Sequence, residues 1–413
     1  MQNFTRFISF SLIALTAGCA NTPEQASAPQ PVVEPVKAQP VRSKPVAKPA
    51  TTQQIAAAPV AAAPSENAHE LVLKLLPVRL KDKEGWAQDL QSAFRSLQIQ
   101  PSREHFCAAI AVIEQESSFQ ADPVVPGLPA IIRREIDQRR DKYGIPQTVI
   151  DWMLSSDSKD GRTYRQRIDA LRTEKELSDL IEEIVDRVPS GQKLFPNYNP
   201  VRTGGPMQVS VEFAEAHARA RPYPYPVNGS LRNEVFSRRG GVYFGSAILL
   251  DYPAPYDDML YRFADFNSGR YSSRNAAFQR ALSRVSGKPL APDGDLLRYS
   301  NGNVAPEASS TLQALLAIEK PLQMNEADIE RDLRQEKLSA FAKTQLYTRL
   351  FALADRNGAQ PRVAMPQIDL KSPKIHRKLT TEWFANRVYG RYQDCLKRSG
   401  MTPAKPAIKT ATR

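Results

Sequence analysis

Two glutamates, Glu114 and Glu116, close an apolar stretch in which Phe106, Ile110 and Ile113 fall on one helical stripe. A carboxyl at the end of a helix and the lip of a groove can protonate a leaving oxygen, provided burial raises its pKa toward neutrality. At about 100° per residue the two glutamates flank the stripe at similar angles, so periodicity leaves both open. Two further signals follow in order: Gly205-Pro-Met207-Gln208-Val209-Ser210, and Phe263-Ala-Asp265-Phe266-Asn267-Ser-Gly269. Taken singly, these read as a solvated carboxylate, a turn entering a helix and a turn. The four histidines (His69, His105, His217, His376) are scattered without zinc spacing, and no glycine-rich phosphate loop exists. No metal and no cofactor is therefore expected.

Together and in this order, the signals resemble the soluble lytic transglycosylase family and its goose-type lysozyme relatives. There a helix ends in Glu-Ser-x-Phe, a loop carries Gly-Leu-Met-Gln, a Gly-x-x-Tyr-Leu stretch follows, and a later helix ends in Tyr-Asn-Ala-Gly. Here Glu116-Ser117-Ser-Phe119, Gly205-Pro-Met207-Gln208, Gly240-Gly-Val-Tyr243-Phe244 and Phe266-Asn267-Ser-Gly269 stand in those places. The match covers roughly residues 104–121 and 204–280. It selects Glu116 over Glu114 as the general acid and then base, with Ser117, Met207, Gln208, Tyr243, Phe266 and Asn267 as substrate-binding positions. Phe266 departs from the family tyrosine, and Tyr243 or Tyr261 is the candidate to replace its hydroxyl. The resemblance implies cleavage of the bond between N-acetylmuramic acid and N-acetylglucosamine, with a 1,6-anhydro sugar as product. Two alternatives stay open. One is a muramidase that hydrolyses the same bond, using Asp265 or Asp122 as second carboxylate. The other is a non-catalytic peptidoglycan-binding or scaffolding protein.

The elements that must position these residues are mainly α-helical. Helical spacing predicts helices over 70–76, 86–97, 104–117, 211–220, 241–251, 309–319, 325–335, 337–356 and 380–398. Ser102 and Thr380 are expected N-caps, and Asn357-Gly358 a C-cap. Residues 289–306 read as a linker by composition. Glu116 and Gly205 stand 89 residues apart, far more than the family needs. Residues 123–203 are thus expected to form a helical insertion, a wall or lid on the groove. The expected order is a lysozyme-like domain over 66–288 and a helical C-terminal region over 289–413 that packs on it.

The chain begins as an exported one. Arg6 precedes the short apolar run from Phe7 to Leu15, a secretory signal over residues 1–18 and too short for a transmembrane helix. Leu15-Thr-Ala-Gly-Cys19 resembles the lipobox of bacterial lipoproteins, which implies acylation of Cys19. Ala20 in place of aspartate favours the periplasmic face of the outer membrane. Residues 19–65 form a Pro/Ala-rich disordered tether. The whole layout also resembles an uncharacterised family of proteobacterial outer-membrane lipoproteins. Of the three cysteines, Cys107 and Cys395 remain, an even pair in an oxidising compartment, and a disulfide is expected between them. The net charge of +12 suggests anionic peptidoglycan or lipid head groups as partners, not nucleic acid. Oligomeric state is not legible.

Overall fold

Ser102 opens the central helix of the molecule, its hydroxyl accepting from the His105 amide at 3.1 Å. The computed structural model describes residues 67–187, 199–300, 303–370 and 379–401. The signal sequence, Cys19 and the tether lie outside these residues. Chain order begins with α1 (Ala68–Leu75), α2 (Lys83–Leu97) and α3 (Arg103–Glu116). Every residue of α3 from Phe106 to Ile113 is buried. Three of these are alanines, Ala108, Ala109 and Ala111; small side chains let neighbouring helices approach closely.

Four helices follow: α4 (Leu128–Tyr143), α5 (Gln147–Ser155), α6 (Tyr164–Ala170) and α7 (Glu174–Asp186). Threonine capping boxes start both α6 and α7. Their apolar faces make a cluster of their own, with Ile150, Ile168, Leu177 and Leu180 inside. Thr203–Gly204 (β1) then pairs antiparallel with Val209–Ser210 (β2), so Gly205 to Gln208 form the tip of a small hairpin. Next come α8 (Val211–Ala220), α9 (Leu231–Phe236), α10 (Arg238–Leu250), α11 (Met259–Ser268) and α12 (Ser272–Ser286). A second hairpin, β3 (Tyr299–Ser300) with β4 (Asn303–Val304), precedes α13 (Ser310–Leu316), α14 (Glu319–Leu322), α15 (Glu326–Leu333) and α16 (Gln345–Ala354). After β5 (Asp369–Leu370) and its partner β6 (Leu379–Thr380) comes α17 (Thr381–Arg398). The fold is mainly α. Among the described residues no helix is long and apolar enough to cross a membrane.

Three apolar cores organise these elements. The first joins α1, α2, α3, α10, α11 and α17; the second joins α12, α13, α15 and α16 with Leu296 and Phe341; the third is the 123–203 insertion with Phe236. The cores divide the chain differently from a boundary at 288. Helix α12 lies before that position yet packs in the second core, while α17, the last described helix, returns to the first. Cys107 on α3 and Cys395 on α17 form the expected disulfide, with Cα atoms 5.5 Å apart and 288 positions between them in sequence.

Two expected elements change. The helix over 337–356 is a 3-10 turn (Ser339–Lys343) followed by α16. Thr344 breaks it by capping α16 through the Tyr347 amide at 3.2 Å. The stretch over 289–306 is not a linker. Leu296 and Leu297 are buried in the second core.

Candidate functional site

Glu116 is the last residue of α3, and the chain leaves the helix in a strained way. Ser118 and Phe119 both have positive φ, 50° and 62°. Left-handed backbone is costly for a non-glycine residue and uncommon for a bulky one. Phe119 is held there by an edge-on contact with Trp86 of α2, ring centroids 5.2 Å apart. Arg238, at the start of α10, lies over the same indole at 5.5 Å and is ion-paired to Asp82 and Asp89. The turn after Glu116 is thereby tied to α2 and α10. Ser117 is buried and donates its hydroxyl to the Ile113 carbonyl at 2.9 Å.

The Glu116 residue keeps a part-exposed flank while protein surrounds its carboxyl, and that burial pushes its pKa up to about 7. Among the described residues, the carboxyl has no hydrogen bond or ion pair.

The hairpin tip that carries Met207 and Gln208 is pressed onto α10 through glycines. Gly205 adopts φ +72°, and a Cβ there would meet the Val235 carbonyl at 2.0 Å. A Cβ on Gly245 would strike Met207 Sδ at 2.3 Å. On the other side, the ring of Phe236 abuts Gly204 and belongs to the insertion's core. The tip is thus gripped between α10 and the insertion. The insertion itself leaves the first core directly after the Phe119 turn, where Val124 bridges to Thr173.

The structure sorts the expected contact residues by burial. Met207 and Tyr243 are fully buried, and Phe266 and Ser117 are nearly so. These four therefore lie behind the surface, where they shape the fold around Glu116 more than they expose side chain. Tyr243 meets His217 Nε2 through its hydroxyl at 3.3 Å. Gln208 stays half-buried with φ +50°, and its amide makes only long contacts of 3.4 Å to Thr203 and Gly205. Its donors and acceptor remain available to a ligand amide.

The family model for a protein of unknown function, DUF1615, matches residues 79–398. The chain belongs to the DUF1615 family. It is also 45% identical to the uncharacterized protein YaiW of Escherichia coli (strain K12) over 329 residues, 79% of this chain and 89% of that one. No solved structure matches.

In this DUF1615 chain, the two candidates for a second carboxylate have other work. Asp265 is fully buried and accepts from the Tyr252 and Tyr256 hydroxyls, Ser272 Oγ (3.0 Å), and the Tyr271 (2.9 Å) and Ser273 (2.8 Å) amides. It caps the start of α12 and offers no surface to a substrate. Burial raises its pKa against those bonds. Asp122 is hydrogen-bonded to Thr173 at the root of the insertion, its pKa also raised by burial. Asn267 is part-exposed; its Oδ1 accepts from Thr381 Oγ1 of α17 at 2.9 Å. It borders a cleft toward the second core whose lining does not include Glu116. The described residues hold no group of three or more His, Cys, Asp or Glu able to bind a metal.

No motif in the sequence marks Trp86 and Arg238, which hold the turn after Glu116. Arg239 is also engaged, with Glu234 and over the Tyr225 ring. Tyr223 and Tyr225 pack inward on Tyr243. The available signal is the seven-residue spacing of Asp82, the N-cap of α2, and Asp89 within that helix.

Proposed function

We propose that the protein cleaves the glycosidic bond between N-acetylmuramic acid and N-acetylglucosamine in peptidoglycan, as a lytic transglycosylase with Glu116 as its one catalytic carboxyl. The observation that carries this reading is Glu116 itself: an unpartnered carboxyl with a pKa near 7, at a helix end followed by two left-handed residues. Backbone strain of this kind concentrates at functional sites. Such a carboxyl is half-protonated at neutral pH and can serve first as acid and then as base. Glu116 gives its proton to the glycosidic oxygen while the substrate's N-acetyl group assists. It then takes the proton of the sugar's C6 hydroxyl, which closes the 1,6-anhydro ring without water. The burial of Asp265 and the engagement of Asp122 favour this one-carboxyl route over hydrolysis with two. The lipobox-like Cys19 supports a lipid-anchored place on the periplasmic face of the outer membrane, within reach of the anionic wall.

A second reading is a binding or scaffolding protein that has lost the reaction. Phe266 favours it, because neither that residue nor Tyr243 brings a free hydroxyl. One experiment separates the readings: the full chain and Glu116→Gln are incubated with purified sacculi, and soluble products are analysed by mass spectrometry. Anhydro-muropeptides from the native protein alone support the transglycosylase. Reducing-end muropeptides replace it with a hydrolase, and binding without release replaces it with the scaffold.

A further inference from the structure

The cleft that Asn267 borders has a volume of about 610 Å³ and lies between the end of α11 and residues 293–300 and 305–310 beside the second core. One wall is held from beneath by an unusual number of buried polar groups. Glu336, fully buried, accepts from the Leu296 amide and from the Tyr299 hydroxyl at 2.6 Å. Gln279, also buried, bonds Asp293 at 2.7 Å and the Gly294 amide at 2.8 Å. Buried Asn275 donates to the Gly294 carbonyl at 3.1 Å. Gly294 sits at φ +91°, and a Cβ there would meet Ser272 at 2.7 Å. A surface turn fixed by this many desolvated hydrogen bonds has a set shape before any ligand arrives, the property that lets a site bind without ordering cost.

What that wall shows to the cleft is charge of both signs. Of the charged side chains that line it, Asp293 is bonded to Gln279 and Asp295 is paired with Lys337 at 3.9 Å, which leaves Arg298 and Glu307, both exposed and without a side-chain hydrogen bond or ion pair among the described residues. Asn267 adds an amide group: with its Oδ1 engaged by Thr381, its NH2 has no partner among the described residues. A neutral sugar needs no opposed charges. A carboxylate and an ammonium on one ligand answer both, with the guanidinium taking the carboxylate as a fork and Glu307 taking the ammonium.

We propose that this cleft binds a zwitterionic peptide, the stem that hangs from the wall glycan. It would recognise the stem's free amino-acid end through Arg298, Glu307 and Asn267. The choice of a wall peptide rests on the proposed function; the zwitterion chemistry does not. The cleft then selects glycan that still carries its peptides.

The test is calorimetry on the full-length protein with two probes, the free tripeptide L-alanyl-γ-D-glutamyl-diaminopimelate and the sugar chitotetraose. The tripeptide is expected to bind saturably, and Arg298→Ala and Glu307→Gln are each expected to weaken it about tenfold or more. Chitotetraose affinity is expected to be the same in native and variant proteins. Both side chains are exposed, so the variants leave the cores intact. No saturable tripeptide binding, or binding indifferent to both substitutions, overturns the proposal. So does loss of chitotetraose binding instead, which makes the cleft a sugar site. Glu116→Gln is expected to keep full tripeptide affinity. If that variant still cleaves sacculi, the catalytic reading falls while a positive tripeptide result stands.

Discussion

The end of α3 and the junction of α11 with α12 each bury an acid, and they do so in opposite ways. Asp265 is enclosed by five donors, two of them tyrosine hydroxyls and two backbone amides. Glu116 is enclosed with none among the described residues. Burial raises the pKa of both, but only one leaves its oxygens free. A saturated buried acid ties the chain together; an unpartnered one with a raised pKa is the kind of group that clusters at functional sites. The sequence motif singles out Glu116 and offers Asp265 only as a second carboxylate for hydrolysis, and their hydrogen-bond environments separate them further.

That contrast breaks most sharply in the rates. Glu116→Gln is expected to lower the release of anhydro-muropeptides by about a hundred- to ten-thousandfold while leaving the circular dichroism spectrum and melting cooperativity intact. Asp265→Asn is expected to do the reverse. Leaving buried tyrosine and backbone donors short of an acceptor costs on the order of 2–4 kcal/mol, read as a lower urea midpoint, with the rate per folded molecule preserved. If the asparagine variant instead lost the reaction at unchanged stability, Asp265 would be the reagent and the contrast would invert.

A pH titration sharpens the same pair. Glu116 is more basic folded than unfolded, with a pKa of about 7 against 4.5. The folded chain therefore holds the extra proton. The stability this confers is full below about pH 4.5 and falls as pH rises through 7, by at most about 3 kcal/mol. Urea midpoints of the native protein minus those of Glu116→Gln, measured across that window, isolate this contribution from Glu336, whose pKa is raised likewise to about 7. A flat difference would place Glu116 in solvent. The smallest effect is expected at Thr381→Val, which removes one hydrogen bond to Asn267 and costs about 1 kcal/mol in chemical denaturation.

Much of the architecture was legible because it is local. Ser102, Thr380 and the spacing of Phe106, Ile110 and Ile113 placed α3 and α17 to within a residue or two. The cysteine pair followed from counting. What spacing does not record is which face of a motif turns inward. Met207 fits the family pattern by type, yet its side chain fills the notch that Gly245 leaves in α10. The 289–306 stretch shows proline, glycine and aspartate in its composition. Its order comes from Glu336 and Gln279, far along the chain or on another helix. Arg274, fully buried and bonded to the Leu338 and Glu336 carbonyls, is likewise invisible to a pattern that reserves cores for apolar residues.

The bond between Cys107 and Cys395 has a mechanical meaning. A pull applied to the two ends of the chain passes from α3 directly across the sulfurs to α17. The intervening polypeptide, with Glu116, the insertion and the second core, becomes a covalently closed loop that bears none of the load. A protein tethered at one end and gripped at the other could be tugged without its site being stretched. A protease cut anywhere within that loop would leave both fragments joined until a reductant parted them.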